Sequence, residues 1–434
     1  MAMYIVKQSR KFVKPSTPTP PTLRHHKIAF TDEFAPTMNV SVVLFFPVNG
    51  DDNHNPENII AQLEKSLEKT LTRFYPLAGR YIEEIHTVDC NDQGAEFVHA
   101  KVNIKLQDLF DSKFIVKLAD DFIPSKSGAV YQVTDPIFSA QVTTFECGGV
   151  GIGVSIAHRV ADASTLSTIL SEWAAMMADK NDADAEFTGP GFNSSVLFPA
   201  RGLPPLPLGI PPADDVESKI VTMKIPFTGN MISMVKEKAA VGGRNGAVKW
   251  SKVQVASALI LKGFNGVDRA IHGGHQRESI LLQVMNLREK FASLIPKESC
   301  GNLWGLLTTE CGIADTTEEL ADLLRDSIKK AINNYTKVRH DNEEGQELVL
   351  NSFLQLANIP QKTNVIWLSS WCSFRFYDVD FGFGKPIWAS SGTIPVKNSA
   401  YLMDDVEGNG VEAYVCLEAQ DVPRFEEDMK AFVA

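Results

Sequence analysis

The stretch Gly149–Ile169, GVGIGVSIAHRVADASTLSTI, changes its period midway. Val154 and Ile156 alternate with small residues, the pattern of a buried strand. Beyond Asp162 the spacing is helical: Leu166, Ile169, Leu170, Trp173 and Met177 share one face. Asp162, Ser164 and Thr165 are candidate caps for that helix. His158 therefore stands where the strand stops, and Asp162 where the helix starts. Strand ends commonly carry chemistry on a rigid frame. On spacing alone, a polar turn between two core elements is the stronger reading, since many histidines occupy turns without catalysing anything. One His and one Asp give at most two metal ligands, and no HExxH or cysteine cluster adds more, so no metal is expected.

The chain has 434 residues, which suggests two domains rather than one core. Its formal net charge of -11 argues against nucleic acid as main partner, because a phosphate backbone needs a basic surface. No stretch approaches a membrane span, and the first residues lack the apolar core of a signal peptide. Cys90, Cys147, Cys300, Cys311, Cys372 and Cys416 are scattered without CxxC spacing. They read as reduced core residues of a cytoplasmic protein.

Outward from the opening stretch, strands are expected at NVSVVLFFPV, AQVTTFEC, GIGVSIA, SILLQVMNL and VEAYVCLEA. Ile59, Ile60, Leu63, Leu67, Leu71 and Phe74 predict one helix. A capping box over Thr316–Glu319 opens another, with Leu320, Leu323, Leu324, Ile328, Ile332 and Tyr335 as its stripe. Proline crowds Gly189–Ser218, which suits a stiff crossover. The expected division is 1–188, a linker over 189–218, and 219–434: two mixed α/β halves of similar size.

A second unusual stretch is SSWCSFRFYDVDFGFGKP, from Ser369 to Pro386. Gly382 and Gly384 flank Phe383, which implies unusual backbone angles or close approach. Asp380 among aromatics needs a partner if buried, and Arg288 is one candidate. A tight turn capped by Asp380 is the simpler reading.

Together these segments resemble the plant BAHD acyltransferase family. Its HxxxD motif matches His158-Arg159-Val160-Ala161-Asp162, and its DFGWG motif matches Asp380-Phe381-Gly382-Phe383-Gly384, with Phe383 in place of tryptophan. FYPLAGR at Phe74–Arg80, LFP at Leu197–Pro199 and SSW at Ser369–Trp371 follow in family order. Many members carry glycine where this chain has Ala163. KPSTPTP and FECGG look most like the vinorine synthase-like branch of alkaloid and terpenoid alcohol acetyltransferases.

The resemblance implies two mixed-sheet α/β domains of the chloramphenicol acetyltransferase type with a channel at their interface. It implies an acyl-CoA-dependent O-acyltransferase, with acetyl-CoA as first choice of donor and a plant specialised metabolite as alcohol acceptor. His158 would be the general base and Asp162 an orienting or structural residue, paired with Arg288 unless Asp380 takes that arginine. Trp371 and Asn302 are candidates for the oxyanion donor or pocket wall. Ser251 and Lys252 are candidate coenzyme A contacts, with an exposed helix start an equal reading. Asp380, Gly382 and Gly384 would be structural. A monomer with no nucleic-acid or membrane partner is expected. Malonyl-CoA as donor, a silent scaffold protein and a thioesterase remain open alternatives.

Overall fold

The computed structural model describes residues 3–47, 56–112, 114–125, 131–178, 190–206, 220–241, 250–275, 277–291, 293–312, 314, 316–336 and 343–433. In chain order the strands begin with β1 (Ile5–Val13), β2 (His25–Lys27), β3 (Asn39–Phe46), β4 (Arg80–Ile82) and β5 (Thr87–Asp89). Next come β6 (Ala95–Val102), β7 (Phe138–Thr144), β8 (Val150–Ala157), β9 (Ile220–Phe227) and β10 (Ser279–Asn286). The last are β11 (Trp304–Gly312), β12 (Asn364–Ser370), β13 (Trp388–Ser390), β14 (Ser399–Asp404) and β15 (Val411–Glu418). The expected mixed α/β architecture is present, as two six-stranded sheets with helices.

The first unit comprises Met1–Leu208, Ile295–Leu303 and Phe374–Ile394. Its large sheet runs β1-β6-β7-β8-β3-β13, beside a small sheet β2-β5-β4. β8 is central, antiparallel to both β7 and β3, and every residue in it is buried. Glycine alternates along this strand for a packing reason. A Cβ at Gly153 would lie 2.0 Å from the Phe122 carbonyl oxygen. The helix Ala163–Met177 follows β8 and rests against the helix Pro56–Arg73. Between them the Trp173 indole N–H donates to the Leu63 carbonyl and the Ser66 hydroxyl, each at 3.0 Å.

The second unit comprises Gly209–Leu294, Trp304–Ser373 and Pro395–Ala434. Its sheet runs β11-β10-β12-β14-β15-β9. The helices Lys252–Ile271, Thr317–Tyr335 and Val422–Val433 cover its apolar face, with Phe264 edge-on to Phe425 at 5.4 Å. The capping box expected at Thr316 and Glu319 is formed.

The units are not successive in the chain, which departs from the division at 188 and 218. The Phe374–Ile394 segment, with the DFGFG motif, belongs to the first unit because β13 pairs with β3. There Trp388 stacks on Phe45 at 5.3 Å. The described part of the proline-rich stretch, 190–206, also belongs to the first unit. Phe30 donates its amide to the Phe198 carbonyl at 2.9 Å. The amides of Arg201, Gly202 and Leu203 converge on the buried Glu33 carboxylate at 2.9–3.1 Å. Residues 189 and 207–218 of the expected linker lie outside the described residues.

Cys90, Cys300, Cys311 and Cys416 are buried and Cys372 is half-buried, but Cys147 is exposed, contrary to its reading as core. Among the described residues no helix is long and apolar enough to cross a membrane.

Candidate active site

His158 is the first residue past β8, and its amide donates to the Met38 carbonyl at 2.9 Å. The turn then closes quickly, with the amides of Val160 and Ala161 donating to the Ala157 carbonyl at 2.9 and 3.2 Å. Arg159 points the other way and is buried. Its guanidinium donates to the Glu33 carbonyl at 2.5 Å and to the Tyr81 hydroxyl at 3.2 Å. The imidazole is thus mounted on a turn tied at both flanks.

Asp162 ends the turn as the N-cap of the Ala163–Met177 helix. Its Oδ1 accepts the Thr165 amide at 2.8 Å and the Thr165 hydroxyl at 3.0 Å. This satisfies one of the orphan donors of the first helical turn. Its Oδ2 accepts the Leu303 amide at 3.2 Å. The carboxylate therefore links the helix start to the 295–303 segment.

Burial holds the half-buried His158 imidazole below its ordinary value. The Asp162 charge acts against that shift, as do the carbonyls of His158 and Ala161 and the Asn302 side chain. The neutral ring, the form able to accept a proton, is favoured at neutral pH.

Asn302 is fully buried and donates through Nδ2 twice: to the His158 carbonyl at 2.5 Å and to Asp32 Oδ1 at 2.9 Å. A primary amide has two N–H bonds, and both are spent. In this arrangement the Asn302 N–H bonds face protein acceptors. The side chain serves as a bracket behind the base.

The sequence reading passed over Asp32. It is 1% exposed and its Oδ1 also accepts the Asn302 amide, at 2.8 Å. Its Oδ2 accepts the Ala29 amide at 2.6 Å. Burial pushes this carboxyl up to about 7, although its N–H donors pull it down. A signal was present in KIAFTDEFAP: two adjacent acids inside an apolar run, Asp32 and Glu33, both buried.

The DFGFG turn follows the simpler of the two readings, a turn capped by Asp380, rather than burial of Asp380 against a cation. Asp380 is exposed. Its Oδ1 accepts the amides of Gly382 and Gly384 at 2.8 and 3.0 Å, so it caps its own turn. Those glycines have φ of +96° and +103°, a region that penalises any Cβ. The turn thereby aims Phe381 and Phe383 into the first unit. Phe381 meets Trp173 edge-on at 5.3 Å and Phe383 meets Phe46 at 5.2 Å. The motif thus buttresses the helix that Asp162 caps.

The other candidates belong to the second unit. Arg288 is buried, and its backbone amide and Nη1 donate to Asn286 Oδ1 at 3.1 and 3.2 Å. Trp371 is buried, edge-on to Tyr401 at 6.1 Å. Ser251 caps the Lys252–Ile271 helix in a capping box with Gln254, which supports the simple helix-start reading. Lys252 pairs with Asp404 at 2.7 Å and donates to the Gly408 carbonyl at 2.6 Å, so its charge is already answered within its own unit. Among the described residues no group of three or more His, Cys, Asp or Glu side chains could hold a metal ion.

The model of the "Transferase family" matches residues 3–432. The chain is 33% identical to pelargonidin 3-O-(6-caffeoylglucoside) 5-O-(6-O-malonylglucoside) 4'''-malonyltransferase of Salvia splendens, covering 99% of each. It is 32% identical to vinorine synthase of Rauvolfia serpentina, covering 96% of this chain and 94% of that one. The crystal structure of vinorine synthase superposes with a TM-score of 0.83 at 29% identity, over 99% of this chain and 98% of that one. A family match over nearly the whole chain, a shared fold and a histidine at the end of a buried strand all converge: the chain belongs to the BAHD acyl-CoA acyltransferases.

Proposed function

We propose that this enzyme transfers an acyl group, acetyl first, from acyl-CoA to a hydroxyl of a plant specialised metabolite, with His158 as general base. One observation carries the reading: a half-buried imidazole, kept neutral by burial, stands at the end of a rigid central strand. An alcohol holds its proton too tightly to attack a thioester at neutral pH. In the proposed step the neutral imidazole takes the hydroxyl proton as the C–O bond forms. The tetrahedral adduct collapses with cleavage of the C–S bond, and the imidazolium returns its proton to the thiolate. Atoms balance without an acyl-enzyme. Asp162 serves this step by setting the turn rather than by transferring a proton. Trp371 is kept as a candidate pocket wall.

A malonyl donor is the second reading, favoured by the Salvia splendens relative whose printed name is a malonyltransferase. The test is purified enzyme with acetyl-CoA or malonyl-CoA, a panel of alcohols and a plant metabolite extract, read by mass spectrometry for added acyl mass. Acetyl addition supports the first reading, malonyl addition the second. Coenzyme A release without acceptor points to a thioesterase, and no release with any acceptor to a binding protein.

A further inference from the structure

Three chain segments distant in sequence meet behind the candidate base. Asp32 sits in the short helix Phe30–Glu33, His158 at the end of β8, and Asn302 in the Ile295–Leu303 segment. Asp32 and Asn302 are 1% and 0% exposed. The links are a carboxylate-to-amide pair, Asp32 Oδ1 to Asn302 N and Nδ2, and an amide-to-carbonyl bond, Asn302 Nδ2 to His158 O.

We infer that Asp32 is a positioning residue for the acyl transfer: through Asn302 it fixes the backbone at His158 and so the aim of the imidazole. The inference rests on the proposed role of His158 as base. Its physical ground is the two-ended character of a primary amide. An Asn side chain can present Oδ1 or Nδ2 to a given neighbour, and the surrounding network decides which. Asp32 Oδ1 already accepts the backbone N–H of residue 302, and an oxygen so placed admits just the N–H end of the side chain beside it. With Asp32 on one side and the His158 carbonyl on the other, both acceptors face Nδ2. Replacing Asp32 by alanine removes the acceptor that selects the N–H end, and with it the reason for this orientation. The bond to His158 then loosens, and with it the placement of the ring.

Near-attack geometry is steep in its effect on rate, so a misaimed base lowers turnover before it lowers binding. Asp32 touches neither thioester nor alcohol in this account. Its loss should therefore leave the affinity for acyl-CoA alone.

The role also has a distinctive coupling. If Asp32 acts through Asn302, the two losses are not independent, whereas separate structural contributions add. Asn302→Ala removes the relay and leaves the Asp32 bond to the backbone amide of residue 302 in place.

The experiment is a double-mutant cycle on the full-length enzyme, using the donor and acceptor on which the wild type proves active. Asp32→Ala and Asn302→Ala are each expected to lower kcat about 10- to 100-fold with KM for acyl-CoA within about twofold. The double variant should be no slower than the worse single. Thermal melts and coenzyme A titration verify that each preparation is folded and binds. If Asp32→Ala does not fold, Asn302→Ala alone decides: lowered kcat with unchanged KM supports the relay. Wild-type kcat in either folded single variant, or a double loss equal to the product of the singles, overturns the inference. An inactive wild type, or an active His158→Ala, would instead overturn the functional reading beneath it.

Discussion

The Asp162 carboxylate accepts two bonds from Thr165, from its amide at 2.8 Å and from its hydroxyl at 3.0 Å. The second residue of the HxxxD pair is thus a helix cap, and its other oxygen accepts the Leu303 amide. Asn caps a helix about as well as Asp, and Ala does not. Asp162→Ala should lower unfolding free energy by ~0.5–2 kcal/mol, and Asp162→Asn by less. Denaturant unfolding of both variants measures this. Equal losses would contradict the capping role.

The Asp162 charge also raises the affinity of His158 for a proton, in opposition to burial. A negative neighbour stabilises the imidazolium, so its removal lowers the pKa further. In Asp162→Asn the acid limb of the kcat/KM profile should move to lower pH. A limb that stays put or moves upward contradicts this electrostatic link.

Asp380 caps an exposed turn, and its glycines carry the conformational demand. Gly382→Ala places a Cβ at φ +96° and should cost more than the ~0.4–1 kcal/mol that an unstrained Gly→Ala change gains. Asp380→Ala loses two turn bonds, each worth about 0.5–1.5 kcal/mol net. Both should melt lower than wild type, with residual activity tracking the folded fraction. A wild-type melt with dead chemistry in Asp380→Ala would assign that carboxylate a direct role.

Asp32 couples folding to pH. Its carboxyl rises from 3.8 to about 7 on burial. Between those values the native state holds a proton that the unfolded chain has released. This group's contribution is thus fully present below about 3.8 and lost as pH rises through about 7. Denaturant unfolding of wild type and Asp32→Asn across that window should show wild type losing stability relative to the variant as pH rises. A constant difference between them contradicts the shift.

The part of the site that sequence could show is local. The change of period at Asp162, the cap, and the positive φ at Gly382 and Gly384 are all written in neighbouring residues. The capping boxes at Ser251 and Thr316 are equally short-range. What was illegible depends on contacts between distant segments. The return of 374–394 to the first sheet rests on β13 pairing with β3, and backbone pairing leaves no mark on either strand's composition. The surroundings of Asn302 are of this kind: its amide faces Asp32, far away in the chain, and the His158 carbonyl. Asp32 and Glu33 carry no clear mark in the sequence, since buried carboxylates are rare and most of their partners here are backbone amides that any residue type supplies. The pairing of Lys252 with Asp404 is likewise a contact between distant segments.

The central claim is that His158 is the base, and His158→Ala tests it most directly. The variant should melt as wild type and bind acyl-CoA normally, while kcat falls by ~10²–10⁴, the usual contribution of a positioned general base. A folded His158→Ala enzyme that turns over at the wild-type rate would contradict the account.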